Sequence, residues 1–225
     1  MGTMVSYPAN GHTTSGYLAL PEGGTGPGLL VIQEWWGLVD HIKDLADRFA
    51  RAGFVALAPD FYHGETTKSP DEAAKLFMAV NVDRVGADLH GSAAYLLSRA
   101  EVSSSRVGAV GFCMGGQLAL FAGMQYPQSI GAVVDFYGIH PKVTIDPARV
   151  TVPVLGHFGK RDGSIPAATV EGLADGVRKA GGTFEVHWYD ADHAFINDTR
   201  PAVYHRPSAE QAWDRTLQFF QRHLT

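Results

Sequence analysis

Long apolar runs, cysteine pairs, a surplus of basic residues and internal repeats are all missing from this 225-residue chain. No stretch approaches the ~18 consecutive apolar residues of a membrane-spanning helix, so no membrane partner is expected. Cys113 is the single cysteine, which excludes an internal disulfide and fits a reducing, cytoplasmic setting. Lys and Arg number 18 against 23 Asp and Glu, a net charge of −5, and nucleic-acid surfaces need the opposite balance. Charged residues make up only 18% of the chain, too few for a disordered tail or an exposed coiled coil. Met1-Gly2-Thr3-Met4-Val5-Ser6 carries neither the basic nor the apolar region of a secretory signal. It does spell a myristoylation pattern, but no basic patch follows to provide a second anchor. H-E-x-x-H and Cys/His clusters are absent as well, so neither a metal nor a cofactor is expected.

What remains is a core-rich chain: 45% apolar, with 26 Gly and 12 Pro for tight turns. Short apolar runs at 28–33, 54–58, 106–111, 130–136, 152–158 and 183–189 read as strands. Helical periodicity occupies 42–51, 71–79, 83–100, 114–126, 167–180 and 209–223, with Asp40 offered as a cap for the first. In the last of these Trp213, Leu217 and Phe220 are expected to face inward. The alternation, read without hairpin signals, predicts one α/β domain over 1–225 with a mostly parallel central sheet and helices on both faces. In such sheets, active groups sit on loops beyond the carboxyl ends of the strands.

Gly111-Phe112-Cys113-Met114-Gly115 follows one of those strands and opens a helix. It is the G-x-S-x-G nucleophile elbow with sulfur in place of the hydroxyl. A sharp strand-to-helix turn crowds the residues two before and two after the nucleophile, and glycines relieve the crowding. The turn sets the sulfur at a helix N-terminus, where the dipole favours a thiolate. It also aims the Met114 N–H at the same space, ready for an oxyanion. The same glycines fit a dinucleotide site poorly, because the spacing is not G-x-G-x-x-G and Phe112 and Met114 are bulky.

A thiol nucleophile needs a base and a group to orient that base. On this sheet type the chain order is nucleophile, acid, histidine. His193 follows the last strand, and Asp162, in Lys160-Arg161-Asp162-Gly163-Ser164, follows the strand before it. Asp190 and Asp192 stand as alternative acids.

These residues, together with Gln33-Glu34-Trp35-Trp36-Gly37, Ala58-Pro59-Asp60-Phe61-Tyr62, Asp135-Phe136-Tyr137-Gly138 and His193-Ala194-Phe195, resemble the dienelactone hydrolases of the α/β-hydrolase fold. The resemblance implies Cys113 as nucleophile, His193 as base and Asp162 as its orienter. It further implies that Glu34 contacts the resting thiol and that the Trp35 N–H joins that of Met114 in an oxyanion hole. Trp36, Phe61, Tyr62, Phe77, Tyr137 and Phe195 are expected to shape an apolar substrate pocket.

The departures are specific. Family members acting on dienelactone clamp its carboxylate with two arginines, and Pro70 and Asn197 stand at those places, with Ala74 for a nearby tyrosine. Glu34 is therefore expected to be loosely held, and Lys68, Arg200 and Arg206 are the available substitute cations. The expected function is cofactor-free hydrolysis of a small, less anionic ester or lactone through an acyl-thioenzyme, by a monomer or weak homo-oligomer. A binding protein that keeps the fold without turnover and, further off, a nucleotide-binding oxidoreductase are the alternatives.

Overall fold

The computed structural model describes residues 1–138 and 140–224. Its strands are β1 (Thr3–Ala9), β2 (His12–Ala19), β3 (Gly28–Ile32), β4 (Val55–Pro59), β5 (Val107–Phe112), β6 (Ile130–Phe136), β7 (Val154–Gly159) and β8 (Phe184–Tyr189). They join in one sheet in the order β1-β2-β4-β3-β5-β6-β7-β8. From β4 to β8 every neighbouring pair is parallel, and β1 and β2 add an antiparallel edge. Every residue of β3 through β7 is buried, as it must be when helices cover both faces.

The helices are α1 (Asp40–Arg51), α2 (Pro70–Ala79), α3 (Val82–Leu97), α4 (Met114–Gln125), α5 (Ala167–Lys179) and α6 (Arg206–His223). Strand alternation divides the core between the two faces. Leu29 and Val31 of β3 pack with Ile42, Leu45 and Phe49 of α1 and with Phe219 and Phe220 of α6. Leu30 and Ile32 face Leu89 and Leu96 of α3 and Leu118 and Phe121 of α4. On α6 the fully buried stripe is Ala212, Thr216, Phe219 and Phe220, while Trp213 and Leu217 lie half-buried at its margin. No helix among the described residues is long and apolar enough to cross a membrane.

Two local expectations are corrected. The edge of the sheet is a hairpin after all. Asn10 and Gly11 turn it with φ of 51° and 75°, the left-handed pair that a two-residue turn between twisted strands demands. Asp40 does not cap α1 but is its first helical residue, after an uncapped Val39; there its charge meets the positive end of the dipole. The real side-chain caps are Ser69 on α2 and Asn81 on α3, the latter at what reads in sequence as a weak junction.

The β5–α4 junction is the tightest place in the sheet. A Cβ on Gly111 would lie 1.8 Å from the Gly115 carbonyl oxygen, and one on Gly115 would lie 2.4 Å from that of Ile32. Gly172, exposed within α5, meets nothing within 4 Å. Gly172→Ala should therefore stabilise the protein by about 0.5–1 kcal/mol through helix propensity. Gly111→Ala should cost about 3 kcal/mol or more, because the obstacle is backbone that cannot move aside. Urea unfolding midpoints of the two variants check the opposite signs.

Candidate active site

Cys113 links β5 to α4 with φ 54° and ψ −120°, a conformation that costs an L-residue energy and persists only where its surroundings enforce it. Enforcement comes from the glycine contacts and from its own N–H, which donates to the Phe136 carbonyl at 3.0 Å. Met114 begins the helix, so its N–H is free of the helical ladder. Tyr137 after β6 (φ 42°) and Ala194 after β8 (φ 61°) bend the neighbouring loops in the same left-handed way.

Those loops bring the other polar groups to the sulfur. His193 Nδ1–H donates to Asp162 Oδ2 at 2.6 Å. The second carboxylate oxygen of Asp162 accepts from the Ser164 N–H at 2.9 Å and from the Ser164 hydroxyl. Burial works against the Asp162 charge, yet the hydrogen bonds from His193 and Ser164 outweigh it and hold the carboxyl below its ordinary range. Burial likewise opposes a charge on His193, but Asp162 and the adjacent Cys113 sulfur prevail and raise its pKa to about 10. The Tyr137 ring packs against the imidazole, 4.9 Å between centroids, and fixes its plane.

Glu34 lies two residues past the end of β3 and is 1% exposed. Its partner corrects two expectations at once: Asn197 Nδ2 donates to Glu34 Oε2 at 3.1 Å, so the carboxyl is held, and held by the amide rather than by the thiol. Burial pushes the Glu34 carboxyl up, while the charges of His193 and Arg200 and the Asn197 bond pull the other way. Of the three substitute cations, Arg200 reaches the site, its guanidinium 5.7 Å from the centre of the Trp36 ring. Arg206 is paired with Glu210, and Lys68 lines a neighbouring groove.

A cavity of about 480 Å³ opens over the sulfur. Glu34, Trp35, Trp36, Phe77, Cys113, Pro141, Ser164, His193, Ala194, Arg200 and Val203 line it. Among the aromatics expected there, Trp36 and Phe77 are in place. Phe61, Tyr62, Tyr137 and Phe195 are buried behind the wall instead, because the loops they belong to need apolar anchors. Phe195 packs on Tyr137, and the Tyr62 hydroxyl donates to Met114 Sδ at 3.4 Å. The alternative acids, exposed Asp190 and half-buried Asp192, pair with Arg161 instead. Sequence spacing missed Ser164, Asn197 as the partner of Glu34, Pro141 and Val203. Only Ser164 carried a readable signal, the Asp-Gly-Ser turn.

A family model described as the dienelactone hydrolase family matches residues 14–224. The chain belongs to the dienelactone hydrolase family. It is 39% identical over the full length of both chains to "Protein usf" of Aquifex pyrophilus. It is 34% identical, again over both full lengths, to a protein of Aquifex aeolicus provisionally named a carboxymethylenebutenolidase. Among solved structures it resembles a provisional dienelactone hydrolase of Klebsiella pneumoniae, with TM-score 0.88 and 33% identity over 99% of each chain. It also resembles P91, a dienelactone hydrolase-like promiscuous phosphotriesterase from metagenomic libraries, with TM-score 0.87 and 25% identity over 100% of this chain and 99% of that one. The α/β-hydrolase fold and the hydrolase family expected from the motifs are thus both established.

The His193–Asp162 pair has a pH signature. The folded protein raises His193 to about 10 from an unfolded value of about 6.5. A raised basic pKa stabilises the fold fully below the unfolded value, and that contribution is lost as pH rises through the folded one. The urea midpoint of the wild type should therefore fall between pH 6.5 and 10 more steeply than that of His193→Gln. Parallel profiles for the two proteins would remove the buried imidazolium from the account.

Proposed function

We propose that this family member hydrolyses a small ester or lactone with Cys113 as nucleophile, His193 as proton carrier and Asp162 as the group that orients it. One observation carries the reading. His193 is fixed by Asp162 through Nδ1 and raised by the Cys113 sulfur beside it, with both residues lining one cavity at the end of the sheet. A sulfur nucleophile beside an imidazolium has its proton donor already in place.

In the proposed reaction Cys113 Sγ attacks the carbonyl carbon, and the C=O electron pair moves onto oxygen. The N–H groups of Met114 and Trp35 receive that oxyanion. Collapse of the tetrahedral adduct breaks the bond to the alkoxy oxygen, which takes the proton from His193 Nε2. The acyl-thioenzyme remains; for a lactone, the new hydroxyl stays attached to the acyl chain. Neutral His193 then takes a proton from water, whose oxygen attacks the thioester. Release of the acid frees the Cys113 sulfur and regenerates its pair with His193, while Asp162 keeps Nδ1 protonated throughout.

The charge balance of the cavity favours a neutral substrate. Pro70 and Asn197 cannot supply a guanidinium clamp, and the one guanidinium among the described residues lining the cavity, that of Arg200, acts on buried Glu34. Its charge is offset before an anion arrives.

Cys113→Ala and His193→Ala should each abolish hydrolysis of an aryl ester without loss of the fold, and the double variant should be no worse than either, because the two act as one unit. Asp162→Asn should slow turnover by about 10³–10⁴, through the wrong imidazole tautomer. Steady-state kinetics with circular dichroism decide all four, and near-normal turnover by Cys113→Ala would end the proposal. On substrate charge, kcat/KM should be higher for the methyl ester of a carboxylate-bearing lactone than for the free acid. A salt-sensitive preference for the acid that disappears in Arg200→Ala would make Arg200 a clamp and overturn the neutral reading.

A further inference from the structure

Far along the chain from Cys113, three elements meet around a second polar cluster. His12 opens β2, His63 sits in the turn after β4 with φ 53°, and Asp88 lies on α3. One potential ligand atom from each falls within 4.8 Å of the others. We infer that His12, His63 and Asp88 form a binding site for a divalent transition-metal ion of zinc-like preference.

Two polar atoms in the cluster make no hydrogen bond, only an ion pair with each other. Asp88 is 3% exposed, and its Oδ1 makes no hydrogen bond; His12 Nε2 is also buried and makes none. Buried polar atoms without a hydrogen bond are costly in a protein interior, and a cation between these two would satisfy both. The two atoms face each other at 3.4 Å without hydrogen-bond geometry. That spacing is informative. Two ligands bound at about 2.0–2.1 Å around a tetrahedral ion lie about 3.3 Å apart along their shared edge.

The support around the ligands is of the kind metal sites use. His12 Nδ1 lies 3.2 Å from the Asn10 carbonyl, and donation from it leaves the Nε2 lone pair facing Asp88. Asp60 accepts from the N–H groups of Tyr62 at 3.2 Å and Gly64 at 2.6 Å, which fixes the turn that presents His63. Arg84 packs against the cluster, its Nη2 3.3 Å from His63 Nε2. Both are exposed, so the guanidinium can turn to solvent when His63 takes an ion. Two imidazoles and one carboxylate suit zinc and its neighbours better than magnesium or calcium, which prefer all-oxygen sets. The partly exposed rim leaves a fourth position for water. An ion here would cross-link the β1–β2 hairpin, the turn carrying Tyr62 and α3.

The test is titration of untagged protein with Co²⁺ and Zn²⁺, in wild type and in a Cys113→Ala background that removes the other soft ligand. Wild type and Cys113→Ala should each bind a single equivalent of Co²⁺, with visible absorption bands of a four-coordinate nitrogen–oxygen site. Zn²⁺ should displace the Co²⁺ and raise Tm in proportion to its binding. His63→Ala, at an exposed position where folding is not at stake, should weaken binding more than about tenfold and cancel the Tm shift. His12→Ala should do the same. Absence of saturable binding, binding undiminished in His63→Ala, or binding lost only in Cys113→Ala would each overturn the assignment.

Discussion

The close approach of β5 to the first turn of α4 governs the architecture of the site. Gly111 and Gly115 let the turn close, and the closure forces Cys113 into its left-handed conformation and out above the sheet. The same contact presses α4 onto the end of β3, where a Cβ on Gly115 would strike the carbonyls of Ile32 and Gln33. Glu34 and Trp35 are the next residues along that strand, so the approach that exposes the sulfur also places them beside it. Strain at one residue is sustained because the parallel sheet around it is buried on both faces and cannot relax.

Around that fixed point the site is assembled from loops whose own anchors are apolar. Tyr137, Phe195 and Tyr62 are buried, and they set the positions of His193, the loop after β8 and Met114 without touching the cavity. The charges form two linked pairs. His193 answers Asp162 and the sulfur, while Glu34 answers Arg200 and the amide of Asn197. Within the site, the carboxyls of Asp162 and Glu34 each accept a side-chain hydrogen bond that offsets part of the cost of their burial.

Much of this could be read from residue order because it is local. Strand β6 follows from an apolar run interrupted only by Asp135, and α4 from its start at Met114 after the first elbow glycine. Asp162 and His193 could be placed because each follows a strand of a sheet whose parallel order sends all such loops to one end. Two local signals were present and passed over. Asn10-Gly11 is a hairpin turn in spelling, but β1 buries only Tyr7 and Ala9 fully and lacks the apolar density of a core strand. Asp40 has the chemistry of a cap, yet the chain enters α1 one residue earlier.

By itself, the sequence determined the α/β layering, the glycine-relieved elbow and the order of cysteine, aspartate and histidine after successive strands, since each is a pattern of neighbours along the chain. Only the tertiary structure decided which aromatics wall the cavity and which brace it, and which of three cations reaches the site. It also decided that Asn197 holds Glu34 across 163 residues of chain, and that His12, His63 and Asp88 converge from three elements. The physical reason is that helix and strand periodicities specify which face a side chain takes, whereas its partner depends on how distant elements pack against that face.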